Sequence, residues 1–157
     1  VKVGEAVVAF DDAIQGRQTQ QLQSDVGDFV VLRADGLFAY QLAVVVDDAE
    51  QQVSHVVRGA DLLDSTPRQI FLQQLLGYPQ PVYAHPPVVV DAQGEKLSKQ
   101  TLATPVDAAR PLPALRAAWG FLGQTAEESP MTFDEFWPWA IDHWQLSRVP
   151  KCRAQTA

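Results

Sequence analysis

The sequence predicts an α/β fold that ends in a small helical segment. Three observations carry this. Short apolar runs suited to strands recur at Phe29–Leu32, Val53–Val57 and Val88–Val90. A helix with its own start and stop residues, Thr66 to Gly77, lies between the second and third of these runs. After Pro105 the apolar residues change to helical spacing.

Taken in order, Val1 to Asp28 has the least pattern. Glu5 to Phe10 is apolar with little alternation, Asp11-Asp12 and Gly16-Arg17 suit a turn, and glutamine-rich Ile14 to Ser24 reads as a loop or strand edge. Phe29 to Leu32 and Leu37 to Tyr40 flank Asp35-Gly36, the dipeptide of a type I′ hairpin. Gln41 to Val46 is apolar after its first residue and is expected to be buried, with Asp47-Asp48 ending it. Val53 to Val57 reads as a buried strand that delivers Arg58 and Gly59 at its carboxyl end, where open α/β sheets bind ligands.

Thr66 can cap the next helix, with Pro67 at its first position and Gln69 placed for a capping box. Gly77 is its expected stop. Tyr78 to Pro87 holds four prolines and reads as an extended connector into the Val88 run. Leu112, Leu115, Trp119 and Leu122 then follow helical spacing up to Gly123. Thr132 opens a second helix, with Glu135 completing a capping box and Met131 placed to staple against Phe136. Phe133, Phe136, Trp137, Ala140, Ile141 and Trp144 form one apolar stripe, interrupted by a kink-prone Pro138. From Val149 onward there is no periodicity, which suits a frayed tail.

Composition narrows the function classes. With 157 residues, 46% hydrophobic and 20% charged, the chain reads as soluble and globular. No apolar run approaches the ~20 residues of a membrane span. Its one cysteine, Cys152, excludes a disulfide framework and a cysteine-rich metal site, which fits a reducing, cytoplasmic setting. Val1 stands where a methionine would open a complete reading frame, so a fragment or processed piece is expected. The net charge of −7 argues against a broad nucleic-acid footprint. RNA contact would have to come from local groups such as Lys96, Lys99, Arg110, Arg116, Arg148, Lys151 and Arg153.

Chemistry concentrates in Asp91-Ala-Gln-Gly-Glu-Lys-Leu-Ser-Lys-Gln100, which sets two lysines three residues apart behind a glycine. Such a loop can close over phosphate and neutralise charge that builds as phosphorus is attacked. Taken alone such a Gly-Glu-Lys stretch is usually a solvated turn. Tyr40 and Arg58 are read in the same two ways. A guanidinium and a phenol can hold a carboxylate, or they can be a surface ion pair and a core tyrosine. Asp47-Asp48 suits a cap or turn better than a magnesium pair. His55, His85 and His143 have unrelated spacings and read as structural.

Lys96-Leu-Ser-Lys-Gln100 resembles the second signature loop of class I aminoacyl-tRNA synthetases. Asp35-Gly-Leu-Phe-Ala-Tyr40, Leu42-Ala-Val-Val-Val-Asp-Asp48, His55-Val-Val-Arg-Gly-Ala-Asp61 and Ser65-Thr-Pro-Arg-Gln69 occur upstream in the order of the glutamyl-tRNA synthetase group. Within that group the likeness is to the short glutamyl-Q tRNA(Asp) synthetases, through Gly36-Leu-Phe-Ala-Tyr40, Arg58-Gly-Ala-Asp-Leu62 and Gln100. Leucine replaces the usual methionine of the loop, and glutamine the usual serine or arginine.

The resemblance implies the C-terminal part of a Rossmann-type catalytic domain over residues 1–104, followed by a helical segment over 105–157. It implies that Tyr40 and Arg58 bind L-glutamate, that Lys96 and Lys99 bind ATP (used with Mg), and that the partner is the anticodon stem-loop of tRNA(Asp). Asp61 is a further candidate for positioning Arg58 or ATP. The His-Ile-Gly-His signature and the zinc ligands of the group are expected upstream of Val1, in a longer and monomeric parent. The first alternative is a discriminating glutamyl-tRNA synthetase, which should carry a long anticodon-binding region after the lysine loop. A non-catalytic binding module built from a synthetase fragment is the second.

Overall fold

β1 (Val7–Asp12) and β2 (Gly16–Gln21) form an antiparallel hairpin in the region that carries least pattern in the sequence. Val8, Phe10 and Asp12 alternate inward along β1. Outward-facing Val7 and Ala9 are also apolar, which hides the period of two. In the turn, Asp12 Oδ1 accepts from the backbone N–H of Ile14 and Gln15.

The computed structural model describes residues 1–97, 105–125 and 132–156. They fall into two units, Val1–His85 and Pro86–Ala157. The first is built on a mixed sheet of order β2-β1-β4-β3, with β3 (His55–Val57) and β4 (Val82–Ala84) parallel to each other and β4 parallel to β1. The expected connector Tyr78–Pro87 therefore contains a strand. The expected buried strand Val53–Val57 is instead an edge, with Val57 69% exposed.

Helix α1 (Leu22–Asp25) is a single turn. The type I′ hairpin expected at Asp35-Gly36 does not form. Gly36 N–H donates to Arg33 and Arg33 N–H to Leu37, with Gly36 alone left-handed at φ 82. Asp35 keeps a negative φ, so the turn is the three-residue kind with a glycine bulge. Its flanks make one bridge, Leu32 to Phe38, and Leu37 and Phe38 stay exposed.

Helix α2 (Tyr40–Glu50) takes in Asp47 and Asp48, which do not end it, and only Val45 is fully buried along it. A 3-10 segment (Ala60–Ser65) leads into α3 (Thr66–Leu76), which stops at left-handed Gly77. Ser65, not Thr66, occupies the cap position, and the capping box with Gln69 is absent. Gln69 is drawn away by tertiary partners. Ile70 of α3 joins Val3, Val8, Phe10, Leu22, Leu63 and Tyr83 in the core of this unit.

In the second unit β5 (Val88–Val90) pairs in parallel with β6 (Ala154–Thr156), so the expected frayed tail is a strand. α4 (Leu112–Phe121) and α5 (Phe133–His143) pack through Trp119, Phe136 and Ala140, with Trp139 against them. The capping box of Thr132 and Glu135 is present, and the helix runs on through Pro138. Met131, the expected staple, lies outside the described residues. Two of the six residues of the expected stripe are buried. Phe136 and Ala140 are buried, while Trp137, Ile141 and Trp144 line an open apolar groove of 230 Å³.

Candidate functional site

Three parallel strands of the first unit end in polar residues that meet. Asp12 closes β1, Arg58 follows β3 and His85 follows β4. Side chains fan out beyond the carboxyl ends of parallel strands, so residues far apart in sequence converge there. The start of α3 adds Thr66 and Gln69 from the other side.

Arg58 is the centre of this cluster. Its Nε donates to His85 Nε2 at 3.1 Å. One terminal nitrogen, Nη2, donates to Thr66 Oγ1 at 3.0 Å and to Gln69 Oε1 at 2.7 Å. The guanidinium carbon lies 5.7 Å from the centre of the Tyr83 ring. None of the ion pairs among the described residues includes Arg58. A half-buried cation is thus held in place by uncharged acceptors. That arrangement leaves its charge for an anion.

The supports are themselves tied down. Gln69 Nε2 donates to Gln41 Oε1 at 2.8 Å, and Gln41 Nε2 to Ser65 Oγ at 3.2 Å. Asp12 Oδ2 lies 2.6 Å from His85 Nδ1, and both side chains are fully buried. Burial opposes ionisation of Asp12. The N–H groups of Gln15, Ile14 and His85 and the His85 ring outweigh that and hold the carboxyl below its ordinary range. Burial also holds the His85 ring below the usual histidine range, helped by the Arg58 charge and opposed by Asp12 and Asp61. His85 is therefore neutral near pH 7.

Tyr40 is the first residue of α2 and 52% exposed. Among the described residues no hydrogen bond joins it to Arg58, but both act electrostatically on the buried Tyr83 phenol. Its neighbour Gln41 belongs to the network. Asp48 is partly buried, which raises its carboxyl, with Arg58 lowering it and Asp47 raising it. Among the described residues no three His, Cys, Asp or Glu side chains gather as a metal site. Asp61 stands exposed at the head of the 3-10 segment.

The lysine loop belongs to the second unit. Asp91 shapes it, its Oδ1 accepting from Gln93 and Glu95 N–H, with Gly94 left-handed at φ 82. Lys96 bridges back to Val90 and is exposed. Ser98, Lys99 and Gln100 lie outside the described residues.

Of the cluster, the sequence singles out Arg58 as a candidate, suggests a structural role for His85 and capping roles for Thr66 and Gln69, and gives Asp12 and Gln41 no site role. The available hint was a set of polar residues placed just after short apolar runs.

Residues 1–115 match the family model of class I tRNA synthetases for glutamate and glutamine (E and Q), catalytic domain. The chain belongs to that family. It is 60% identical over 146 residues to a glutamyl-Q tRNA(Asp) synthetase of Aromatoleum aromaticum, covering 92% of this chain and 46% of the relative. It is 61% identical over 149 residues to the protein of the same name in Burkholderia cenocepacia, covering 94% of this chain and 50% of that one. The chain thus spans about half the length of these curated relatives. A glutamate tRNA ligase structure from Elizabethkingia meningosepticum, in complex with its amino acid, shares the fold. The match has a TM-score of 0.71 at 24% identity and covers 98% of this chain and 34% of that one. Among the described residues no helix is long and apolar enough to cross a membrane.

Proposed function

We propose that this chain supplies the glutamate site and the lysine loop of a ligase that activates glutamate with ATP and transfers it to queuosine in the anticodon loop of tRNA(Asp). The observation that carries the reading is Arg58, a cation oriented by neutral acceptors at the carboxyl ends of parallel strands. In this reading its guanidinium pairs the side-chain carboxylate of glutamate, and the Tyr40 phenol adds a directed hydrogen bond. The α-carboxylate of glutamate attacks the α-phosphorus of ATP and pyrophosphate leaves, giving glutamyl-adenylate. The glutamyl group then passes to queuosine and AMP leaves. Lys96 and Lys99 balance charge on the phosphates. ATP enters with Mg, and no step is assigned to a metal held by this chain. The relatives' shared name supports the choice of RNA partner.

Labelled glutamate tests this with the chain carried in a protein of its relatives' full length. A tRNA(Asp) anticodon stem-loop bearing queuosine takes the label, and the same stem-loop bearing guanosine does not. Equal labelling of the two, or labelling of the tRNA(Glu) acceptor end alone, sinks the assignment and favours a discriminating glutamyl-tRNA synthetase. In the same assay Arg58→Lys raises the glutamate KM by about tenfold or more, because an ammonium group cannot keep the Nε and Nη2 contacts that orient the charge. An unaltered KM places Arg58 outside the glutamate pocket.

A further inference from the structure

We propose that Asp12 and His85 are positioning residues for Arg58. Asp12 holds the His85 ring as its Nδ1–H tautomer, and the bare Nε2 then aims the guanidinium. The proposal rests on the reading of Arg58 as the glutamate-binding cation.

The two oxygens of Asp12 have separate tasks. Oδ1 accepts three backbone N–H groups, from Ile14 at 3.0 Å, Gln15 at 2.9 Å and His85 at 3.1 Å. These fasten the β1–β2 turn to the end of β4. Among the described residues Oδ2 hydrogen-bonds the His85 ring alone, 2.6 Å from Nδ1. An ionised carboxylate accepts and cannot donate, so the ring proton sits on Nδ1.

Nε2 of a neutral ring is then an acceptor. The atom opposite it, Arg58 Nε, can only donate, and the two lie 3.1 Å apart. Thr66 completes the match. Its oxygen accepts from Arg58 Nη2 and has its own proton left for His85 Nε2 at 3.3 Å or the Leu62 carbonyl at 3.5 Å. With the proton moved to Nε2, donor would face donor across the Arg58 contact. Every donor finds an acceptor in one tautomer only.

The consequence for binding is orientation. A free arginine spreads over many rotamers, and holding Nε and Nη2 together fixes both the plane and the roll of its fork. Nη1, on the side away from these partners, makes no hydrogen bond among the described residues. The relay therefore presents one end of the fork in one direction. It joins residues 73 positions apart, Asp12 and His85, with Arg58 between them in sequence.

Asp12→Asn is the informative change. It keeps Oδ1 with its three backbone partners and replaces Oδ2 by an amide that donates to Nδ1, driving the ring proton to Nε2. In a protein of the relatives' full length we expect the glutamate KM to rise about tenfold or more while kcat changes by less than about threefold, the size of one lost bond to a charged group. Nitrogen NMR of the same protein reads the His85 tautomer and the Arg58 Nε–H directly. The expected result is Nδ1–H in the unaltered protein, and in the variant Nε2–H with faster exchange of the Arg58 proton. A ring already protonated on Nε2 in the unaltered protein overturns the proposal without any variant. So does a KM that Arg58→Lys raises and Asp12→Asn leaves alone. If neither substitution moves KM but the tautomer and the Arg58 proton both respond, the relay stands and the glutamate reading of Arg58 fails.

Discussion

Lys99→Ala lowers glutamate-dependent pyrophosphate exchange 100- to 1,000-fold, about 2.7–4 kcal/mol for one lost donor to a transition state. The stretch that leads to Lys99 supports this. β5 runs into a turn shaped by Asp91 and left-handed Gly94, and Leu97 N–H returns to the Val89 carbonyl. The chain is thus reversed by a firm hairpin just before Ser98 and Lys99, and Lys96 sits on its exposed side. In the proposed reading the lysine meets phosphate oxygens as their charge grows, a contact made more strongly in the transition state than in the ground state. The loss therefore falls on kcat, with a smaller change in the KM for ATP. Exchange measured in a protein of the relatives' full length checks it. A decrease below about threefold, under ~0.7 kcal/mol, would mark the loop as an ordinary solvated turn.

Local chemistry was legible where partners are local. The Thr132–Glu135 capping box and the Gly77 stop can be read from a few neighbouring residues, and both are present. Gln69 fits the same capping rule and disobeys it, because Arg58 and Gln41 offer its amide stronger partners from other elements. The type I′ reading of Asp35-Gly36 failed in a related way. The dipeptide suits two turn types, and only Gly36 takes the left-handed conformation here. β6 could not be read at all, since Ala154-Gln155-Thr156 has no strand pattern and exists by pairing with Val88–Val90. The site divides in the same manner. Arg58 stands at the end of an apolar run and is visible in one dimension. Asp12 and His85 become neighbours only when β1 and β4 lie side by side, and nothing near either residue announces that.

His85→Ala destabilises the first unit by about 3 kcal/mol, the cost of leaving a buried carboxylate oxygen and a guanidinium N–H without their shared partner. Both side chains of the pair are fully buried, so the truncated site offers Asp12 Oδ2 no ring, and Arg58 Nε loses its acceptor. The Tyr83 ring, stacked 6.1 Å from His85, loses packing as well. Urea unfolding of the chain at pH 7.5 measures the change. The pH dependence carries a sign that separates this cause from simple loss of volume. Burial places the folded His85 pKa below its unfolded value, so its share of stability is complete above about pH 6.5 and falls as the pH drops through the folded value. Asp12 is also lowered, and its share disappears further down, below about pH 3.9. Between pH 7.5 and 5 the unaltered chain should therefore lose stability on acidification, and His85→Ala should show a flatter curve. Parallel curves, or a loss below about 1 kcal/mol at pH 7.5, would mean that the ring is not the buried neutral link between Asp12 and Arg58.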